Sequence, residues 1–167
     1  MPELKGTTFT AEESRGVALE ALAKAEAISL SGEPDRAQGE YEDIIRFCED
    51  NRITATHPYL KAVFNLAGLF VSGGRLEEAR DLLHGKGKIE PVLGEQFELH
   101  ETLGKIEQGL GNMEAAKSSY RKAIDLGKQK GRSLSSVVLP LCDILSQEEE
   151  FEEAYLALRN NLPYISE

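Results

Sequence analysis

The segment that decides the fold is LGKIEQGLGNMEAAKSSYRKA, residues 103–123, and it predicts two short helices folded against each other across a tight turn. Ala116 and Tyr120 are four residues apart, which places them on one face of the second helix. Gly104 lets the two backbones approach closely, and Gly111 can supply the positive φ that a helix end often needs. Because such a hairpin cannot bury its own apolar face, we expect it to be one unit of a stack.

The same arrangement recurs four times along the chain. Four alanines, which we call the anchors, mark it at intervals of 42, 37 and 38 residues: Ala37, Ala79, Ala116 and Ala154. A small residue lies twelve positions before each anchor and a large one four positions after it. A glycine lies five positions before the first three anchors, whereas the fourth repeat has Glu149 there. The apolar periodicity predicts helices at about residues 10–30, 34–50, 58–72, 92–110, 113–128, 134–146 and 150–160, with a shorter one from Leu76 into HGKGK.

The second and third repeats, NLAGLFVSGGRLEEARDLL and TLGKIEQGLGNMEAAKSSYRKA, resemble the tetratricopeptide repeat. The resemblance implies an all-α solenoid of antiparallel helix pairs, with about four repeats and eight helices. The repeat spacing exceeds the ~34 residues typical of that family and, together with HPYLKAVFNLAGLF, is similar to the longer repeats of kinesin light chains. The first and last repeats match less well, as capping repeats do, and Lys24 stands where the later repeats have leucine.

The domain organisation expected from this pattern is simple. We expect a flexible N-terminus at residues 1–10, a single domain at 11–161 and a C-terminal tail at 162–167; the repeats lie at about 11–50, 57–86, 92–129 and 133–161. No apolar run reaches the ~20 residues of a membrane span. The start of the chain lacks the basic and apolar blocks of a secretory signal, so the default expectation is a cytoplasmic protein without a membrane partner.

The charge pattern indicates the class of partner. A net charge of −10 argues against nucleic acid and favours a basic or mixed-charge protein partner. The acidic run comprises Glu148, Glu149, Glu150, Glu152 and Glu153, and the basic run comprises Lys117, Arg121, Lys122, Lys128, Lys130 and Arg132. The acidic run either offsets the dipole of the last helix or binds a cation or a basic peptide. The basic run either is a solvated helix face or contacts an anionic partner or another copy.

No motif predicts catalysis. The histidines His57, His84 and His100 lack acidic or cysteine neighbours at metal-ligand spacing, and there is no glycine-rich phosphate loop, so we expect no enzyme, no metal and no cofactor. His100 lies on a buried stripe, which predicts a packed core residue. Cys48 and Cys142 are expected to be small buried apolar residues. Pro140 falls within the seventh helix, where it either bends the helix or marks its start.

The resemblance implies a concave groove lined by the first helix of each pair. The predicted partner-binding residues are Lys61, Phe64, Asn65, Glu98, Glu101, Lys105 and Asp143. Apolar contacts are expected from Phe64, Leu22 and Leu139, and charge selection from Glu98, Glu101 and Asp143.

Asn65 matches the asparagine with which kinesin-light-chain-like repeats hold a peptide backbone, the alternative being an ordinary exposed polar residue. Because Glu98 and Glu101 would repel a carboxylate, we do not expect a carboxylate clamp built on Lys61, Asn65 and Lys105.

The function expected from these features is a non-enzymatic module that holds a peptide or partner helix in the groove. The alternative is a structural protein that self-assembles through its terminal helices. Apolar residues at the end of the chain favour this alternative, because a terminal cap is normally polar outside: Phe151, Tyr155, Leu156, Leu158, Leu162, Pro163 and Tyr164.

Overall fold

The computed structural model describes residues 10–84 and 96–165, and these residues form an all-α structure of paired helices. The helices are α1 (Ala11–Leu30), α2 (Pro34–Asp50), α3 (His57–Ser72), α4 (Leu76–His84), α5 (Phe97–Gly109), α6 (Met113–Gln129), α7 (Ser135–Gln147) and α8 (Phe151–Asn161), followed by a 3₁₀ turn, Leu162–Tyr164. The predicted all-α class is thus confirmed. Residues 1–9, the Gly-Lys segment and the predicted start of the fifth helix at 92–95 lie outside the described residues.

The connection between the two helices of each pair contains the same backbone hydrogen bond in all four pairs. In each, an N–H donates to the carbonyl five residues earlier, the Schellman motif that ends a helix with one left-handed residue. The bonds run from Glu33 to Ile28, from Arg75 to Phe70, from Asn112 to Glu107 and from Glu150 to Leu145. Gly111 has a φ of +80°, as the sequence predicts. Glu149 has a φ of +63° at the matching place, which costs a residue with a Cβ about 1–2 kcal/mol.

The chain divides into two compact units, residues 1–82 and 83–167. In the first unit, α1, α2 and α3 pack together. Their shared core is built from small and branched apolar residues together with one tyrosine: Ala18, Ala25, Ala37, Tyr41, Ile44, Val63 and Leu66. That the two units form one domain over residues 11–161 stays a prediction.

The second unit contains α5 to α8 and is organised around Tyr120. A Cβ built on Gly104 would lie 2.5 Å from Cε1 of Tyr120, so only glycine lets the two helices approach this closely. The Tyr120 ring is fully buried, and its hydroxyl donates to Gln108 Oε1 at 2.9 Å. The predicted tail begins with the 3₁₀ turn, where the carbonyl of Tyr164 accepts from the Leu134 N–H at 2.8 Å.

The structure also shows the surroundings of three residues that the sequence analysis singled out, namely His100, Cys48 and Pro140. His100 is buried, as the sequence predicts. Cys48 is fully buried, which raises the pKa of its thiol to about 11. α7 runs through Pro140, so the interpretation that the helix starts at this proline is wrong. The missing N–H leaves the carbonyl of Ser136 without a helical donor, and because Ser136 is exposed, water can satisfy that carbonyl.

Candidate partner-binding site

A cavity of about 480 Å³ lies between α1, α2 and α3, within the first unit. It is lined by Glu26, Ser29, Leu30, Tyr41, Phe64, Asn65, Gly68, Leu69 and Ser72. Phe64 is half-buried and supplies an apolar wall. A Cβ on Gly68 would meet nothing within 4 Å, so the space beside this residue is open. A depression with apolar walls and a few polar groups suits an inserted side chain or a short peptide segment.

A polar network crosses the cavity at Asn65. The Asn65 side-chain nitrogen lies 3.2 Å from Glu26 Oε1 and 3.2 Å from the Tyr41 hydroxyl, and it donates to both. Burial raises the pKa of the Tyr41 hydroxyl, while hydrogen bonds with Asn65 and Ser29 act in the opposite direction. Asn65 is therefore a half-buried member of a fixed network rather than a side chain extended into solvent.

The other first-unit residues divide between surface and core. Lys61 is exposed one turn before Asn65 on α3 and does not line the cavity. Leu22 is only 4% exposed, so the prediction that it contacts a partner is wrong: it packs in the core of the first unit. Sequence reasoning treated Tyr41 as a packing residue and missed its hydroxyl. The sequence feature that could have indicated this hydroxyl is the tyrosine itself, because the next repeat has Leu83, a purely apolar residue, at the same position.

The remaining four predicted residues lie in the second unit, and two of them pair with each other. On α5, the Lys105 ammonium lies 2.6 Å from the Glu101 carboxylate. Glu98 forms an ion pair with Arg132. Burial raises the pKa of Glu98, but a hydrogen bond to its own backbone N–H and the Arg132 pair outweigh burial and hold that pKa below its usual range. Asp143 is exposed on α7.

The acidic and basic runs contact each other between α6 and the segment that runs from Glu148 into α8. The Lys117 side chain is buried, and its ammonium lies 2.6 Å from Glu114 and 2.5 Å from Glu148. Hydrogen bonds to these two carboxylates raise the lysine pKa. Arg121 pairs with Glu153. Part of the acidic run therefore binds lysine and arginine of the same chain, and the basic run is not simply a solvated face.

Neither a metal site nor a membrane span is found in the part of the chain that the structure describes. Within residues 10–84 and 96–165, no three His, Cys, Asp or Glu side chains cluster in a way that could hold a metal ion. No helix in these ranges is both long and apolar enough to cross a bilayer.

The last helix carries apolar side chains in contact with water. Phe151, Tyr155 and Leu162 are 64%, 60% and 57% exposed. Leu156 and Leu158 are also exposed. Phe151, Tyr155, Leu158 and Leu162 recur at intervals of four, three and four residues, which places them on one side of α8 and the residue after it. This strip is a second candidate interaction surface.

The sequence and the fold of this chain resemble those of known proteins. Residues 97–129 match the tetratricopeptide repeat family. The fold is similar to the crystal structure of BtubC (BKLC) from P. vanneervenii, with a TM-score of 0.78 and 16% identity over 97% of this chain. The chain spans 66% of the length of that protein. No curated protein sequence matches the chain significantly. The resemblance identified in the sequence is thereby confirmed, and the fold is an α-solenoid of helix pairs.

Proposed function

We propose that this chain, an α-solenoid containing a tetratricopeptide repeat, is a non-enzymatic protein-protein interaction module. Repeats of this kind generally mediate protein-protein interaction or scaffolding. The observation that carries the proposal is the cavity between α1, α2 and α3, whose α3 wall contains Phe64 and Asn65. These two residues occupy the register positions expected to face a bound partner. The proposed ligand is a peptide or a partner helix that inserts an apolar side chain beside Phe64.

The charge of the cavity supports a basic or mixed-charge ligand. Of the described residues that line it, Glu26 is the only charged one, and it is half-buried. A Lys or Arg next to the inserted apolar side chain could reach this carboxylate. The Asn65 nitrogen is engaged with Glu26 and Tyr41, but neither bond uses its side-chain oxygen, which could accept from a peptide N–H. Lys61, Glu98, Glu101, Lys105 and Asp143 remain proposed contributors to charge selection. The existing pair between Glu101 and Lys105 reduces what either can add.

Selection of peptides from a random phage-displayed library on the full chain tests this proposal. We expect enriched peptides to combine an apolar residue with a nearby Lys or Arg. Phe64→Ala should raise their Kd at least about tenfold, as expected for an anchor contact. Leu19→Ala, which alters an exposed leucine of α1 outside the cavity, is the matched control and should leave Kd unchanged. Enriched peptides that bind the Phe64 variant as tightly as the wild type, with its helicity intact, would refute the proposal.

Self-assembly through the terminal helix is the second candidate function. The exposure of Phe151 and Tyr155 on α8, and of Leu162 directly after it, favours self-assembly, because an exposed apolar surface of this kind is normally covered. Sedimentation over a concentration series distinguishes it from a purely monomeric adaptor.

A further inference from the structure

One face of α8 occupies the same repeat positions as the face of α6 that packs against the next helix pair. Lys117 lies one residue after the anchor Ala116, and it binds Glu150, four residues before the next anchor, at 3.5 Å. The first unit has the same link: Gln38, one residue after its anchor, accepts from Arg75 at 2.7 Å. Position one after the anchor is therefore the position that contacts the following pair.

In α8 and at the residue that follows it, the corresponding positions carry exposed side chains. Tyr155 corresponds to Lys117, Leu158 to Tyr120, Arg159 to Arg121 and Leu162 to Ile124. Lys117, Tyr120 and Ile124 are buried in the second unit, whereas Tyr155, Leu158 and Leu162 are exposed. The Arg159 guanidinium lies over the Tyr155 ring at 5.6 Å from its centre. α8 therefore presents a surface of the kind that another helix covers in the preceding pair.

The first helix does not present a complementary surface. Positions seventeen and thirteen before the anchor are buried and apolar in α3, α5 and α7, where they are Ala62, Leu66, Leu99, Leu103, Val137 and Leu141. In α1 the same positions are Glu20 and Lys24, and both are exposed. The Lys24 ammonium lies 2.8 Å from Glu40, so α1 is a polar cap. Head-to-tail stacking, with α1 of one copy on α8 of another, would bury these charges and is disfavoured.

The spacing of the α8 strip fits an antiparallel partner identical to itself. Phe151, Tyr155, Leu158 and Leu162 follow one another at intervals of four, three and four, the spacing of a coiled-coil seam. Leu162 directly follows α8 as the first residue of the 3₁₀ turn, with φ −46° and ψ −42°. The intervals are the same in both directions along the chain. A two-fold axis therefore sets Phe151 against Leu162 of a second copy and Tyr155 against its Leu158.

The flanking charges complement each other in the same arrangement. Glu152 and Arg159 both lie at the position after a seam residue, seven residues apart on one side of the strip. In an antiparallel pair, these positions face each other across the interface, so each Glu152 meets an Arg159 of the other copy, twice per dimer. A parallel pair would bring no such Glu–Arg contact between equivalent residues.

We propose that two copies of this chain associate through α8 in an antiparallel, two-fold contact with the seam Phe151, Tyr155, Leu158 and Leu162 and with reciprocal Glu152–Arg159 ion pairs. The inference rests on the second candidate function, self-assembly. Because the contact involves one short helix from each copy, its area is below that of a standard stable interface, and the dissociation constant is on the order of micromolar.

Sedimentation equilibrium of the full chain tests the surface. We expect a monomer–dimer equilibrium, and Tyr155→Lys, which installs the residue that α6 has at this position, should give a monomer. Leu19→Lys introduces the same charge at another exposed apolar site and should leave dimerisation unchanged. A wild-type chain that stays monomeric up to about 100 µM would overturn both self-assembly and the proposed contact.

A charge exchange tests the antiparallel geometry separately. Glu152→Arg and Arg159→Glu should each weaken the dimer about tenfold or more, because each creates two like-charge contacts. The double variant should recover the wild-type dissociation constant within about threefold. Glu12→Arg is the control, since Glu12 is also the second residue of its helix and is exposed.

The neutral variant Glu152→Gln provides a second measurement and should weaken the dimer less than Glu152→Arg. A dimer that forms but shows no recovery in the double variant would refute the antiparallel contact while leaving self-assembly standing.

Discussion

Replacement of Gly104 by alanine tests the packing on which the second unit depends. The new Cβ would lie 2.5, 2.6 and 2.9 Å from three atoms of the Tyr120 ring, well inside normal contact. The ring is fully buried and its hydroxyl donates to Gln108, so it cannot move aside without losing packing and a hydrogen bond. Overpacking of this severity costs about 3 kcal/mol, and the better helix propensity of alanine offsets about 1 kcal/mol. We expect a net loss of about 2 kcal/mol and a Tm lower by roughly 4–8 °C.

Urea denaturation followed by circular dichroism measures this loss. Gly39→Ala is the control, because Gly39 lies inside α2 and a Cβ there meets nothing within 4 Å. That variant should gain about 0.5–1 kcal/mol. Adding Tyr120→Leu to Gly104→Ala should cost less than the sum of the two single changes, because the smaller side chain removes the clash. If Gly104→Ala stabilises the protein as Gly39→Ala does, the assigned close contact between α5 and α6 is wrong.

Two further predictions concern stability. Glu149→Gly should raise the free energy of unfolding by about 1 kcal/mol, since glycine adopts the left-handed conformation without strain. Gly111→Ala should lower the free energy of unfolding by a similar amount for the same reason. Urea midpoints that move in the opposite directions would contradict the turn assignment. Burial raises the pKa of Cys48 to about 11 and those of Tyr59 and Tyr120 to about 12. These folded pKa values exceed those of the unfolded chain, which are about 8.5 for cysteine and about 10 for tyrosine. The contribution of these groups to the free energy of unfolding is therefore fully present below the unfolded pKa values and should fall as the pH rises from about 9 toward 12. The urea midpoint should decrease over this range, and a constant midpoint would contradict the prediction.

The helices and turns could be predicted from the sequence because their determinants are local. Apolar residues at helical spacing defined the buried faces, and Gly111 marked a turn whose φ is indeed positive. The repeat register also places Glu149 at the turn position that is glycine in the first three repeats, and Glu149 adopts the same left-handed conformation. A pattern repeated four times constrains each unit more strongly than one window can.

The electrostatic contacts could not be predicted in the same way. Lys117 and Glu148 are 31 residues apart, and only the packing of successive pairs brings them within 2.5 Å. Each charged run was therefore assigned to solvent, to a helix dipole or to an external partner, although part of each binds the other.

The error at Leu22 has a related cause. Its register position faces the groove in an ideal repeat, but here its side chain is buried in the core of the first unit. Phe64 and Asn65, which the repeat register predicts to contact a partner, line the cavity, and that they bind a partner stays a prediction. The hydroxyl of Tyr41 joins the polar network through its contact with Asn65, 24 residues away, which no local pattern reveals.

Hydrogen exchange of the full chain, measured by mass spectrometry with and without a library-selected peptide, tests the central claim most directly. The claim is that the cavity between α1, α2 and α3 holds the partner. It predicts slower exchange of backbone amides in residues 26–30 and 64–72, the segments of α1 and α3 that line the cavity, with α8 unchanged. Slower exchange confined to α8, or to the second unit as a whole, would contradict it.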